Sequence, residues 1–535
     1  MGTRDLLFVG LIVGGAAALA GSLYPHRVAR SVTTKAPAWK APGDVSAVVA
    51  KVDAAFRGRW QSEGVSPVGR ATEAEVVRRL SLALTGTIPS LQELRGIEAL
   101  PEGRRADAWA ETLLNDRRTD DYLAERFARA YVGVEGGPFL VFRRRRFVTW
   151  LSDQFNARRP YDAVVRDLIA SDGLWTDRPA TNFVTVTYDP DKKAVDAERL
   201  AGRVSRAFLG VRIDCARCHD HPFADWTQKD FQGIAAFFGK AESGLTGIHE
   251  GKSEFRPTDR KSGKEYTVMP RVPFRPELLP VTGNRRERLA RWVTDRANPA
   301  LPRATVNRVW ALMFGKGMVE PVDNLPEEDE LPSALITLAD DFAAHGYDLR
   351  RLIRVIASTE VFRLQSAGDP EPTPEAEKAW AVFPLTPLRA EQVVGALTQS
   401  ASLTTIDGDS PIVVRLIKGI GESGFIKRYG DVGEEELDPH AGTIPQRLLL
   451  MNGDMVRDKV KADLFTASFR VASFAPDDES AVAVAFQTVL SRRPSAGESA
   501  HFAKALAGTT GTARKERVSD LFWSLVNATE FSWNH

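Results

Sequence analysis

Apolar residues recur every three or four positions through most of this sequence from Val45 onward. A chain patterned that way buries its side chains by packing helices, because that spacing puts them on one helix face. "VSAVVAKVDAAFRGRW" (45–60) is one such stretch. Thr72 with Glu75 forms a capping-box sequence that opens a helix, and Gly86 closes it. Ser90 with Glu93 opens the next. Further helical patterns cover 103–131, 144–172 and 193–209, then 387–403, 443–461, 476–492, 495–507 and 514–529. "SALITLADDFAAHGYDLRRLIRVIAST" predicts a helical hairpin turning at Gly346, with Leu349, Leu352, Ile353 and Ile356 on one face. "RLARWVTDRANP" and "PRATVNRVWALMFGKG" read as consecutive helices broken at Pro299 and Pro302, and Pro302 suits a helix start.

The rhythm fails in two places. Residues 183–188, "FVTVTY", read as a short strand. From 241 to 285 the sequence is rich in glycine, proline and charge, which predicts a long irregular segment with at most a hairpin. The expected fold class is therefore mainly α: two packed multi-helix blocks, 45–240 and 286–535, joined by an irregular segment with at most short strands.

Ahead of the helices, Leu6–Tyr24 carries no charge. Its length falls between a signal-peptide core and a spanning helix, and Ala18-Leu19-Ala20 before Gly21 suits a cleavage site. Residues 1–24 read as a signal peptide or a single membrane anchor, and 25–44 as a linker. The expected location is the periplasm, with the chain either soluble or tethered by that one segment. The net charge of +1 across 535 residues gives no reason to expect nucleic acid as a partner.

The chain has two cysteines, and both lie in "RIDCARCHDHPFADW" (212–226). Cys215-Ala216-Arg217-Cys218-His219 has the spacing of c-type haem attachment: two thiols reach the vinyl groups of one porphyrin, and the next histidine ligates the iron. Two alternatives stand beside it. Cys215, Cys218 and His221 could supply three ligands to zinc. The two thiols could also close a local disulfide. The haem reading leaves the sixth iron ligand open among Met269, Met318, Met451, Met455, His249 and His440, each methionine also suiting a gap in a core. Asp220 is placed to orient a histidine or to cap a helix, and Asp225 and Trp226 border the cluster.

Other stretches have plainer readings. Arg143–Arg146 suits haem propionates or an anionic partner, or simply a solvated helix start. "LPEEDELP" (325–332) lacks the alternating ligands and turn glycine of a calcium loop and reads as an exposed loop. Asn307 and Arg308, beside Trp310, suggest buried hydrogen bonds tying the two blocks together. No G-x-S-x-G, H-E-x-x-H or phosphate-loop pattern occurs.

"FLGVRIDCARCHDHPFADWTQKDFQGIAAFF" resembles the signature of a planctomycete-type cytochrome-c-like domain. The resemblance runs upstream through "VVRRLSLALTGTIPS", "LLNDRRTDDYLAERFARAYV" and "RPYDAVVRDLIASDG". "NPALPRATVNRVWALMFGKGMVEPVDNL", "HGYDLRRLIRVIASTEVFRLQS" and "QRLLLMNGDMV" resemble that domain's usual C-terminal companion. The resemblance implies a cytochrome-like motif without an assigned activity. Two functions are expected to compete: an exported c-type haem protein passing electrons to a redox partner or sensing redox state, and an exported scaffold whose cysteine cluster is a metal site or disulfide clip.

Overall fold

The computed structural model describes residues 43–133, 142–191, 194–220, 225–259, 262–407, 425–426 and 444–535. The N-terminal apolar segment, His221 and His440 lie outside them. Among the described residues no helix is long and apolar enough to cross a membrane.

The chain is mainly α. It opens with α1 (Gly43–Glu63), α2 (Glu73–Thr85) and α3 (Leu91–Glu98). Next come α4 (Arg105–Leu114), α5 (Arg117–Val132), α6 (Arg144–Asn156), α7 (Tyr161–Ala170), the single turn α8 (Asn182–Thr185) and α9 (Ala197–Val204). After the cysteine region come α10 (Gln228–Ala235), α11 (Arg285–Val293), α12 (Ala300–Phe314), α13 (Ser333–Ala344), α14 (Leu349–Ser358) and the short α15 (Pro374–Lys378). The last group is α16 (Ala390–Ser400), α17 (Ile444–Asn452), α18 (Asp454–Val460), α19 (Ala467–Phe474), α20 (Asp478–Leu490), α21 (Ala496–Leu506) and α22 (Gly511–Val526).

Three two-stranded antiparallel pairs complete the described structure. β1 (Tyr188–Asp189) pairs with β2 (Ala194–Val195), and β3 (Ala241–Gly244) with β4 (Gly247–Glu250). β5 (Thr386–Pro387) pairs with β6 (Trp533–Asn534), Thr386 opposite Asn534.

Local chemistry explains the helix ends. The Thr72 hydroxyl accepts the Glu75 N–H, and the Glu75 carboxylate accepts the Thr72 N–H at 2.6 Å, so two orphan donors of α2 are satisfied reciprocally. Gly86 ends the helix in the left-handed conformation, φ 67°. Thr72→Ala is expected to lower stability by about 1 kcal/mol, read as a fall in the urea midpoint.

Three sequence expectations are corrected. The patterns over 103–131 and 144–172 each divide into two helices. Asp116 caps a new helix through the Arg118 N–H, and Pro160 precedes the other. The pattern over 193–209 begins as β2 and becomes helix only after Asp196 caps α9. The stretch 183–188 is not a strand: Phe183, Val184 and Thr185 lie in α8, and only Tyr188 enters β1. The Asn182 side chain accepts the Arg143 N–H and donates to the Pro179 carbonyl, which folds the turn despite its β-branched residues. The irregular segment holds the β3–β4 hairpin. It also packs inward: Ile248 and Val272 are buried.

The apolar interior divides into two cores. The first gathers buried residues from Val45 to Phe383, so α1–α10 and α11–α15 share it. The second takes α16 and the helices after it, together with Leu82 of α2 and Ile88. α2 thus serves both, with Leu80 and Leu84 in the first core.

Candidate functional site

The cysteines follow a change of helical pitch. α9 runs into a π-helical turn, Ser205–Leu209, and ends at Gly210 with φ 67°. π turns widen a helix and are frequent at functional sites. Glycine is favoured here by its left-handed conformation; a side chain at Gly210 would also press on Ala304 and Leu325 at 3.1 Å, and the Gly210 carbonyl accepts the Leu325 N–H at 2.7 Å.

Four residues later a 3₁₀ turn, Asp214–Arg217, carries the motif, with Cys218 as its cap. Cys215 lies within the turn and Cys218 caps it, three positions on, the spacing that a 3₁₀ turn brings round to one side. Both thiols are free; Cys215 is exposed and Cys218 half-buried. Ile213 and Ala216 are fully buried and pin the turn to the first core.

His219 is exposed, and its Nδ1 lies 2.6 Å from the Asp220 carbonyl oxygen. A carbonyl only accepts, so Nδ1 carries a hydrogen, and in the neutral ring the lone pair is on Nε2. This is the arrangement that readies a histidine for a metal through Nε2. The Asp220 side chain acts elsewhere. Its Oδ1 accepts the Gln228 N–H at 2.8 Å, capping α10. The Gln228 side chain returns to the Arg217 carbonyl at 3.2 Å, tying helix and turn together.

Three arginines ring the turn, each on a carboxylate. Arg206 pairs with Asp214 at 2.7 Å, Arg217 with Glu198 at 2.6 Å, and Arg212 with Asp323 at 2.7 Å. Arg212 also donates its backbone N–H to Asn324 Oδ1 at 3.1 Å. The sequence contains no hint of this ring, because its partners are scattered along the chain.

The remaining candidates lie as follows. Asn307 and Arg308 make the buried bonds expected of them. Arg308 donates to the Ala207 carbonyl at 2.8 Å, and Asn307 donates to the Val319 carbonyl at 2.8 Å. The arginine run is a helix start: Arg144 forks onto Glu125 at 2.7 and 2.9 Å, and Arg143 lies over the Trp175 ring. In the 325–332 stretch Glu328 pairs with Arg303 at 2.9 Å. Trp226 is half-buried against Phe274. Met318 packs on the first core and Met455 on the second, while Met269 and Met451 are exposed. His249 stands on β4 beside Glu242. A cavity of about 440 Å³ lies between α7 and α11, lined by Arg166, Ala170, Thr282, Gly283, Glu287, Ala290 and Arg291, with neither cysteine on its wall.

The donor set suits a covalent porphyrin: two free thiols three positions apart at one turn, and an exposed imidazole directly after the second. The zinc alternative needs His221, which lies outside the described residues. Among the described residues no group of three His, Cys, Asp or Glu side chains could hold a metal ion.

The family comparison agrees with the order of these parts. PSCyt2, described as a protein of unknown function (DUF1549), matches residues 51–243, and PSD1, described as a protein of unknown function (DUF1553), matches 285–415. The chain thus carries a PSCyt2 region followed by a PSD1 region. The cysteine turn lies in the PSCyt2 region, while Asn307, Arg308, Asp323 and Asn324 belong to PSD1. No curated protein and no solved structure matches the chain.

Proposed function

We propose that this PSCyt2–PSD1 protein is an exported c-type haem protein that passes single electrons or senses redox state. Cys215 and Cys218 would hold the porphyrin, and His219 Nε2 would ligate its iron. Each thiol would hold the group through one thioether bond, its sulfur on one vinyl carbon and its hydrogen passed to the other. The bound group supplies one-electron chemistry. The chain's own residues hold it: the 3₁₀ turn aligns the thiols, and the Asp220 carbonyl fixes the His219 tautomer.

The observation that carries this reading is the pair of free thiols three positions apart at one 3₁₀ turn, followed directly by an exposed imidazole whose Nδ1 is held by the Asp220 carbonyl. The uncharged Leu6–Tyr24 segment supports export to a compartment where such attachment occurs. Fractionation with N-terminal sequencing tests that part. Cytoplasmic protein beginning near Met1 would refute it.

Expression in a host with a cytochrome c maturation system is expected to give a haem-stained band that survives a denaturing gel. Cys215→Ala should weaken the stain, and His219→Ala should remove the axial bond, seen as a changed Soret spectrum. A colourless protein with one zinc per chain, lost in Cys218→Ala, would instead make the cluster a metal clip in a scaffold. A colourless, metal-free protein whose thiols appear only after reduction would make it a disulfide clip.

A further inference from the structure

We infer that the PSD1 region works as a clamp on the cysteine turn, with Arg308 as its positioning residue. The last carbonyls of a helix have no N–H partners within it, and a buried one left unpaired is destabilising. Where α9 and its π turn end, the Ser205 carbonyl takes the Val211 N–H at 3.1 Å, and the Arg206 and Ala207 carbonyls accept donors from PSD1. Arg308, 1% exposed on α12, supplies them: one Nη donates to Ala207 at 2.8 Å and the other to Arg206 at 3.3 Å. A cation at a helix C-terminus is also favoured by the helix dipole.

The preceding residue on α12 holds the other jaw. Asn307 donates to the Val319 and Val322 carbonyls at 2.8 and 3.2 Å and accepts the Val319 N–H at 3.0 Å. That fixes the loop leading to Asp323, Asn324 and Leu325, which grip Arg212 and Gly210. Arg212 is three residues before Cys215. The turn is therefore held at its entry by two adjacent side chains of PSD1, and the geometry of the thiols depends on a region about 100 residues away in sequence. Coupling of this kind is reciprocal: whatever binds the cysteine turn in its held shape also tightens the joint between the two regions.

The test is made on the full-length protein without added ligand. Alkylation rates of Cys215 and Cys218 are followed by mass spectrometry over a range of pH. Arg308→Leu is expected to speed modification of the half-buried Cys218 by about tenfold, since a buried charged hydrogen-bond donor is lost, and to change the exposed Cys215 far less. Arg308→Lys should restore part of the protection. Asn324→Ala, at an exposed position, loosens the same turn without opening the core and should act in the same direction. Val489→Ala in the second core should reduce stability and leave both rates alone. Rates within twofold of the parent in both Arg308→Leu and Asn324→Ala would overturn the inference, as would equal acceleration by Val489→Ala. The link to haem rests on the proposed function and has its own arm: under maturation conditions Arg308→Leu should carry less haem than Val489→Ala. If the parent takes up no haem while the thiol rates behave as expected, the haem reading fails and the clamp stands.

Discussion

Gly395→Ala is expected to destabilise the protein by about 2 kcal/mol, although it places the best helix former in the middle of a helix. Alanine for glycine normally favours a helix by about 1 kcal/mol. On α16, however, a Cβ at position 395 would lie 2.3 Å from the Gly86 carbonyl oxygen. That oxygen is backbone, at the left-handed residue closing α2. It cannot retreat, because a Cβ at Gly86 would itself lie 2.5 Å from the Tyr122 ring, so this glycine is already pressed from behind. The Gln392 side chain donates to the Leu82 carbonyl at 3.0 Å and holds the helices in this close approach. Overpacking costs about 1–3 kcal/mol, and rigid backbone on the far side puts this case at the upper end, so the clash exceeds the helical gain. A lowered urea midpoint by circular dichroism is the expected reading. An unchanged or raised midpoint would show that α16 moves off α2 without cost.

The same contact explains what could and could not be read in the sequence. Thr72 with Glu75, Ser90 with Glu93 and the stop at Gly86 are local signals, each completed within a few residues, and all three are present in the structure. The helical hairpin at Gly346 is local in the same sense. The cysteine motif was legible because it is contiguous. Its surroundings were not. Arg308 finds backbone carbonyls 101 and 102 positions away, and a carbonyl has no sequence signature. The division of the interior was hidden for a related reason. Both cores use the same Val, Leu, Ile and Phe residues, so periodicity shows which face is buried but not which neighbour covers it. Helix ends were missed where apolar spacing runs through a capping residue, as at Asp116.

Glu391→Gln is expected to cost about 3 kcal/mol at neutral pH and almost nothing near pH 2. Glu391 lies one turn before Gly395 on α16, at the same joint. Its carboxylate meets Arg126 at 2.9 Å and Arg389 at 3.0 Å, and the Tyr122 hydroxyl donates to it at 3.2 Å. Arg389 in turn donates to the Tyr122 oxygen at 2.7 Å. Burial pushes the carboxyl pKa up, but the charges of Arg126, Arg389 and Arg129 outweigh burial and bring it down to about 2. In an unfolded chain the value is 4.5. The folded protein therefore holds this proton less tightly than the unfolded chain. The stabilisation from the ionised group is complete above about pH 4.5 and is lost as pH falls toward 2, a difference worth about 3 kcal/mol. Glutamine keeps the shape and one acceptor but removes the charge, leaving the cluster of arginines with an unbalanced buried charge. Other carboxylates titrate in parent and variant alike, so the difference between their urea midpoints at neutral pH, pH 4 and pH 2.5 isolates Glu391. That difference should shrink steadily with acidity. A gap of constant size would assign the loss to packing at the joint and not to the charge.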